Sequence, residues 1–567
     1  MRTRGRALAA LALLVALPAP VLAAGQVRPP PADPPAAVGC PSSDWSTYGR
    51  DTAHTFSVPA ACSAISPATV PRLAPRWFLH TADSVTASPA VVGDTAYVGS
   101  WDGTFYAVDT ASGAVRWTFA ITAESPTAFG RIVSSATVLT VPDAATRRPR
   151  LVVLFGGGST LWALDAATGV LLASLDLDPR DPALRATQLA SDSPPVVEIE
   201  SSPTVATVGR GRGQQLIFLG LDVHNETGVG RTGVVASRLI SARDGSWSLQ
   251  PVWKSDAETG ATYTGPGLLT AGSGTGDGCG DVWSSAAVDV ATDTLVYGSG
   301  NCGNPAAARA HGFTPGETLF AVRASTGQLL WQWRPVDDPA DPASAQPDTD
   351  RDEDFGASPN IFRTADGRAV VGQGGKSARY TVRDLATGGP VWSALVGQAG
   401  FVNKGFAVGG FLGTPAVQLA EDGAASRVIG ATAVPVPHSA DDLDRTTWAV
   451  RALSAGTGAV AWVYRLAAPS YAATSVVNGV AFVPDTAASS LLALDAATGT
   501  PLWAAPLVGP PSSTAVVTGG AVFVGTGTRE TDLEYKSAGS QLQDGTGPLG
   551  ASPLSPVSGL AAFSHVP

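Results

Sequence analysis

Methionine occurs once and histidine six times in these 567 residues, cysteine four times, and charged residues make up only 15%. So few imidazoles and thiols argue against a His-rich transition-metal site. No Cys-x-x-Cys-His occurs, which excludes a covalently attached c-type haem. Beyond the first residues no long uninterrupted apolar run is present, so no membrane span is expected in the remainder. Positive charge is scarce as well. Lys and Arg number 36 against 47 Asp and Glu, and the net charge of −11 argues against nucleic acid and anionic membranes as partners.

The first residues have the layout of a secretion signal. Arg2, Arg4 and Arg6 precede an apolar run from Ala7 to Ala24 that ends in small residues. A cleaved signal is expected over residues 1–24, with a retained N-terminal anchor as the alternative. Residues 25–43 are Pro-rich and read as an extended linker, which leaves 44–567 as a single domain. Four cysteines in an exported chain suggest two disulfides, whose connectivity the sequence leaves open. Cys40 with Cys62 would staple the N-terminal segment, and Cys279 with Cys302 would staple a single repeat.

One phrase recurs. A short apolar strand is followed by Asp or a relative, up to three mostly small residues, Gly, and usually Trp four positions later. It is complete at Asp109 to Gly113 and Trp117, and again at Asp495 to Gly499 and Trp503. Variants end at Gly169, Gly245, Gly327, Gly388 and Gly458. The Trp is replaced by Ala173 in the second unit and comes late, as Trp253, in the third. Each unit alternates period-two strands with Gly-containing turns and makes a small antiparallel sheet that cannot bury both faces alone. Stacking such sheets around an axis hides them, with Trp filling space between neighbours. An eighth unit is split between the chain ends. Gly520 to Gly527 begins one, and Leu73 to Phe78 completes it. The expectation is an all-β, eight-bladed β-propeller closed by pairing of N- and C-terminal strands, which protects the edges.

Three loop regions interrupt the plain repeat, and loops on a rigid scaffold are where function concentrates. They run from Gly220 to Arg231, from Cys279 through Ser285 and on to Pro305, and from Asp350 to Pro359 with Gly372 to Lys376.

On these residues the chain resembles the pyrroloquinoline quinone (PQQ) dehydrogenases, with polyvinyl-alcohol dehydrogenase and its quinoprotein relatives the nearest pattern. The resemblance runs from Asp44 onward and includes the opening Asp44-Trp45-Ser-Thr-Tyr48-Gly49-Arg-Asp51. It implies PQQ-like repeats, PQQ with Ca²⁺ as cofactors, and roles for particular residues. Glu226 resembles the family's Ca²⁺-binding Glu, and Asn301, in Gly-Ser-Gly-Asn, the Asn that supplies a second metal oxygen. Trp283 resembles the Trp lying flat on the quinone. Asp354 resembles the catalytic Asp beside the metal, and Lys376 the basic residue that hydrogen-bonds the quinone oxygens. Ser201 falls where a Ser or Thr commonly contacts PQQ. Gly356 lacks the extra carboxylate of lanthanide-dependent relatives, so calcium is the expected ion. The adjacent-Cys disulfide of many alcohol-oxidising members is missing.

The residue types are chemically coherent. Ca²⁺ prefers the carboxylate and amide oxygens that Glu226, Asn301 and Asp354 offer. The ion would act as a Lewis acid, Asp354 would take the alcohol proton as hydride moves to the quinone, and Lys376 would meet developing negative charge. The reading is a secreted or envelope dehydrogenase of an alcohol or polyol that passes electrons to a separate acceptor. The alternative is a non-catalytic propeller that binds protein or polymer in the envelope. A third reading, a carbohydrate-binding or hydrolytic propeller, rests on the Asp350, Asp352, Glu353 and Asp354 cluster, which yields no clean catalytic pair.

Overall fold

Opposite an alanine in most of the recurring phrases, and opposite Val382 in the phrase of Trp392, sits the tryptophan, and this pairing builds the molecule. Ala107 faces Trp117, Ala321 faces Trp331, Ala452 faces Trp462 and Ala493 faces Trp503 across the two outer strands of their sheets. Each indole then reaches the next sheet. Its ring covers the Gly of that sheet's turn, at Gly113, Gly169, Gly327, Gly388, Gly458 and Gly499, where an added Cβ would lie 2.5–2.7 Å from the ring. Its N–H donates to a backbone carbonyl on the neighbouring sheet, at Thr110, Ala166, Ala324, Leu385, Ala455, Ala496 and Leu73, over 2.9–3.2 Å. One side chain therefore supplies both apolar area and a directional bond between sheets.

The structure, a computed structural model, describes residues 40, 42–121, 130–178, 197–209, 211, 213–223, 232–272, 279–300, 310, 316–335, 354–396, 410–432, 449–466, 470–486, 488–528 and 557–565. These form eight sheets of four or more strands, the blades of a propeller, antiparallel except where Ser57–Val58 adds in parallel to Ser475–Val477. Numbered along the chain, blade 1 starts at Ala90–Val92 and blade 8 at Val516–Thr518. Blade 8 takes its three inner strands from the C-terminal part of the chain and its outermost, Leu73–His80, from the N-terminal part. Leu73–His80 runs antiparallel to Gly559–His565, with Trp77 opposite Ala562 as in the other blades. The ring is closed as the split repeat requires.

Blade 3 departs from the pattern for a visible reason. Its third and fourth strands, Gly233–Ser241 and Trp247–Ser255, are long, so the Trp comes late in sequence but still faces Ala236 and covers Gly327. Trp253 is therefore in its place rather than displaced. In blade 2 Ala173 occupies the Trp position opposite Ala163.

Residues 45–63 lie across the innermost strands of the ring and touch every blade. Trp45 exchanges backbone hydrogen bonds with Val91 of blade 1, and Ser46 accepts from Val138 of blade 2. His54 Nε2 meets Thr204 Oγ1 of blade 3 at 3.3 Å. Thr52, Ala53, Thr55 and Phe56 accept from Val288, Ile361, Val417 and Val476 of blades 4 to 7, and Ser63 bridges to Gly519 of blade 8. Positive φ at Gly49, Arg50, His54 and Phe56 curves this strap, while the Asp51 carboxylate accepts the amides of Ala53 and Thr55. Cys40 is disulfide-bonded to Cys62, which ties the start of the strap to its end. Cys279 is also disulfide-bonded.

Next along the axis, eight equivalent residues begin the inner strands. The backbone N–H of Thr514 donates to Ser88 Oγ, Ser88 to Ser135, Ser135 to Ser202, Ser202 to Ser285, Ser285 to Ser358 and Ser358 to Thr414, each over 2.8–3.0 Å. At blade 7 the collar changes form: Thr474 N–H donates to the Thr414 backbone carbonyl instead. Tyr48 of the strap reaches this collar, its phenol 3.0 Å from Thr414 Oγ1, and burial pushes its pKa up. No described helix is long and apolar enough to cross a membrane.

Candidate functional site

On the side of the collar away from the strap, the segments entering blades 4 and 5 bring Trp283 and Asp354 together. Trp283 stands two residues before the collar Ser285, and Asp354 four before Ser358. The indole Nε1–H of Trp283 donates to Asp354 Oδ1 at 3.3 Å. Lys376 lies just past the second strand of blade 5, Ala369–Gly374, and its amide donates to the Asp354 carbonyl at 2.9 Å. That bond folds the turn inward. It sets Lys376 Nζ 2.7 Å from Asp354 Oδ2 and 5.4 Å from the Trp283 ring centroid.

The carboxylate is thus held from both sides. The Asp354 side chain is 4% exposed and that of Lys376 12%, so the pair sits in a poorly solvated recess where charges interact strongly. Trp283 supplies a partly exposed aromatic face, and Lys376 offers cationic donors beside it. A plate with polar groups at its edge suits a flat ligand that carries hydrogen-bonding atoms. Asp354 also offers the hard oxygen that a calcium ion would take.

Ser201 is placed differently. Its hydroxyl donates to the Gly220 carbonyl at 3.0 Å and accepts the Gly220 amide at 2.8 Å, and the residue is 1% exposed. Ser134 with Gly156 and Ser513 with Gly525 make the same amide contact in blades 2 and 8. The hydroxyl therefore ties adjacent strands of its own blade. Glu226 and Asn301 fall outside the described residues. Both belong to segments joining the second and third strands of their blades, the topological position that Lys376 holds in blade 5. Among the described residues no group of three acidic, His or Cys side chains could hold a metal ion.

Two features of the site escaped the sequence reading. The hydroxyl collar was announced by Ala87-Ser-Pro, Ser201-Ser-Pro and Ala357-Ser-Pro, which recur at the inner-strand starts. The second is the packing of Gly356, read in sequence only for its missing carboxylate, where an added Cβ would lie 2.7 Å from Trp283 Cη2. The indole occupies the space that a side chain at 356 would need.

A propeller of this repeat defines a class. Residues 45–396 match the family described as PQQ glucose/ethanol/alcohol dehydrogenase, β-propeller domain, and the chain belongs to that family. Residues 447–543 match the pattern of the outer membrane protein assembly factor BamB. Solved structures share the fold at low identity. A quinohemoprotein alcohol dehydrogenase from Pseudomonas putida HK5 is 17% identical with a TM-score of 0.64, over 92% of this chain and 80% of that one. One from Comamonas testosteroni is 18% identical with a TM-score of 0.62, over 92% and 80%. A europium-containing methanol dehydrogenase is 17% identical with a TM-score of 0.63, over 92% and 98%. A comparison with curated proteins finds no match.

Proposed function

We propose that this chain is an exported dehydrogenase that oxidises an alcohol or polyol with PQQ and Ca²⁺, passing electrons to a separate acceptor. The observation that carries the reading is the meeting of Trp283, Asp354 and Lys376 in one recess, from two blades and three separate segments. Trp283 would orient the planar cofactor, and Lys376 would hydrogen-bond its oxygens. Asp354, with Glu226 and Asn301, would hold the ion. When bound, PQQ supplies the hydride acceptor, and Ca²⁺ supplies Lewis acidity.

The chain's own part is proton handling. Asp354 is held by an ammonium at Oδ2 and an indole N–H at Oδ1. As a carboxylate it would accept the proton of a substrate hydroxyl brought to Oδ1 or Oδ2. For that, Lys376 has to give up part of its hold on Oδ2, and the oxygens of a bound quinone would offer it an alternative partner.

The test is reconstitution of the purified protein with PQQ and CaCl₂, followed calorimetrically and by dye reduction across alcohols and polyols. Saturable PQQ binding with dye reduction is expected, and absence of both would refute the reading. A second reading, a non-catalytic propeller holding protein or polymer in the envelope, draws on the match over residues 447–543. It predicts no PQQ binding in the same titration.

A further inference from the structure

We propose that Gly300 and Gly356 are positioning residues: a two-sided seat that fixes the plane of Trp283 and the carboxylate of Asp354. This rests on the dehydrogenase reading for its purpose, though not for its geometry. A Cβ on Gly300 would lie 2.8 Å from Asp354 Oδ1 and 3.1 Å from Trp283 Nε1. A Cβ on Gly356 would lie 2.7 Å from Trp283 Cη2 and 3.1 Å from Leu412 Cδ2. The two glycines therefore meet opposite ends of the indole, the pyrrole N–H at one and the benzo edge at the other.

Backbone conformation does not call for glycine at either place. Neither residue has a positive φ, so an alanine could adopt both conformations. What glycine provides is space. The equivalent of Gly356 in the other blades is Thr86, Val133, Glu200, Trp283, Leu412, Ala472 or Ser512. Only blade 5, beside the one Trp at this position, has no side chain there.

The neighbours cannot easily yield. Gly300 N–H donates to the Asp281 carbonyl at 2.6 Å, and its carbonyl accepts from Glu317 at 2.7 Å. Gly356 N–H faces the Asp354 carbonyl at 3.2 Å. Asp354 is held by Lys376, and an indole is rigid. A methyl at 300 would push the Trp283 N–H and the carboxylate apart, and one at 356 would tilt the ring about that bond.

The test uses the full chain labelled with 5-fluorotryptophan, in which the ¹⁹F resonance lost in Trp283→Leu identifies Trp283 among the 14 tryptophans. Gly300→Ala and Gly356→Ala should each shift that resonance in the cofactor-free protein, with the other resonances in place. With PQQ, both variants should bind about tenfold to a hundredfold more weakly, as an ångström-scale displacement does. In a Trp283→Leu background the Gly356→Ala change should cost much less, leaving only the contacts with Leu412 Cδ2 and the Phe411 carbonyl. A variant that folds only in that background would show the same coupling. An unmoved Trp283 resonance, or equal PQQ losses in both backgrounds, would overturn the seat. Should the unaltered protein fail to bind PQQ, the dehydrogenase reading falls, and the resonance alone decides the seat.

Discussion

Lys376 Nζ lies 2.7 Å from Asp354 Oδ2 while Trp283 donates to Oδ1, so one carboxylate joins the entry to blade 4 with the second turn of blade 5. Removing either charge gives a different outcome. Asp354→Asn keeps the shape and an acceptor for the indole but turns an amide NH2 toward Lys376, so the chain should still fold with a lower melting temperature while turnover falls by about a hundredfold or more. Lys376→Met leaves a carboxylate in a dry recess without its ammonium and should cost about 3 kcal/mol in urea unfolding. Adding Asp354→Asn to Lys376→Met should restore much of that. Strict additivity would show that the pair is not coupled.

The blade-to-blade tryptophans offer a second check. Trp253 is 1% exposed and donates to the Ala324 carbonyl. Trp253→Ala should destabilise by about 3–5 kcal/mol through the cavity it leaves. Trp253→Phe, which loses mainly the hydrogen bond and part of the ring, should cost about 1–2 kcal/mol. Gly327→Ala should also destabilise, because φ is +75° and a Cβ would sit 2.7 Å from the indole. Denaturant melts of the three variants test the order, and a silent Trp253→Ala would refute it.

Asp485 predicts a pH dependence. It ends the second strand of blade 7, where Ser299, Thr432 and Thr526 of blades 4, 6 and 8 donate a hydroxyl to a carbonyl of the third strand. Its carboxyl is 3% exposed, and burial pushes its pKa up to about 7. The folded chain therefore holds this proton while the unfolded chain releases it near 3.8. Its contribution to stability falls as pH rises from about 4 to 7, by up to about 4 kcal/mol, and then levels. Asp485→Asn should gain on the native protein progressively over that window. A constant difference between pH 4 and pH 8 would contradict it.

His54 carries the opposite sign. The strap buries it completely, and desolvation pushes its pKa down to about 3. The unfolded imidazole protonates near 6.5 and the folded one does not, so this contribution is present above 6.5 and is lost as pH falls toward 3. In ¹³C-histidine-labelled protein, the His54 resonance, assigned by His54→Gln, should not titrate between pH 8 and pH 5. A midpoint near 6 would show an accessible ring.

The ring, and three residues that meet in one recess, were legible in the chain, for different reasons. The Asp-to-Gly-to-Trp phrase was readable because a blade solves the same packing problem at every turn of the ring. Trp283, Asp354 and Lys376 stood out because they break that phrase, and the fold brings all three together. Ser201 resembled a ligand contact in sequence, and in the fold its hydroxyl bonds both backbone groups of Gly220. The strap gave no signal of its course. Its contacts pair Trp45 with Val91 and Ser63 with Gly519, and no local period encodes bonds of such separation.

The sequence by itself determined the blades and their closure by the two chain ends, and it singled out Trp283, Asp354 and Lys376. Those follow from local periodicity, turn chemistry and side-chain type. Tertiary structure alone decided that Trp253 keeps its place, that the strap crosses the inner strands of every blade, and that Gly300 and Gly356 leave room for Trp283. Each depends on which surfaces meet, and close packing fixes that only once the ring has formed.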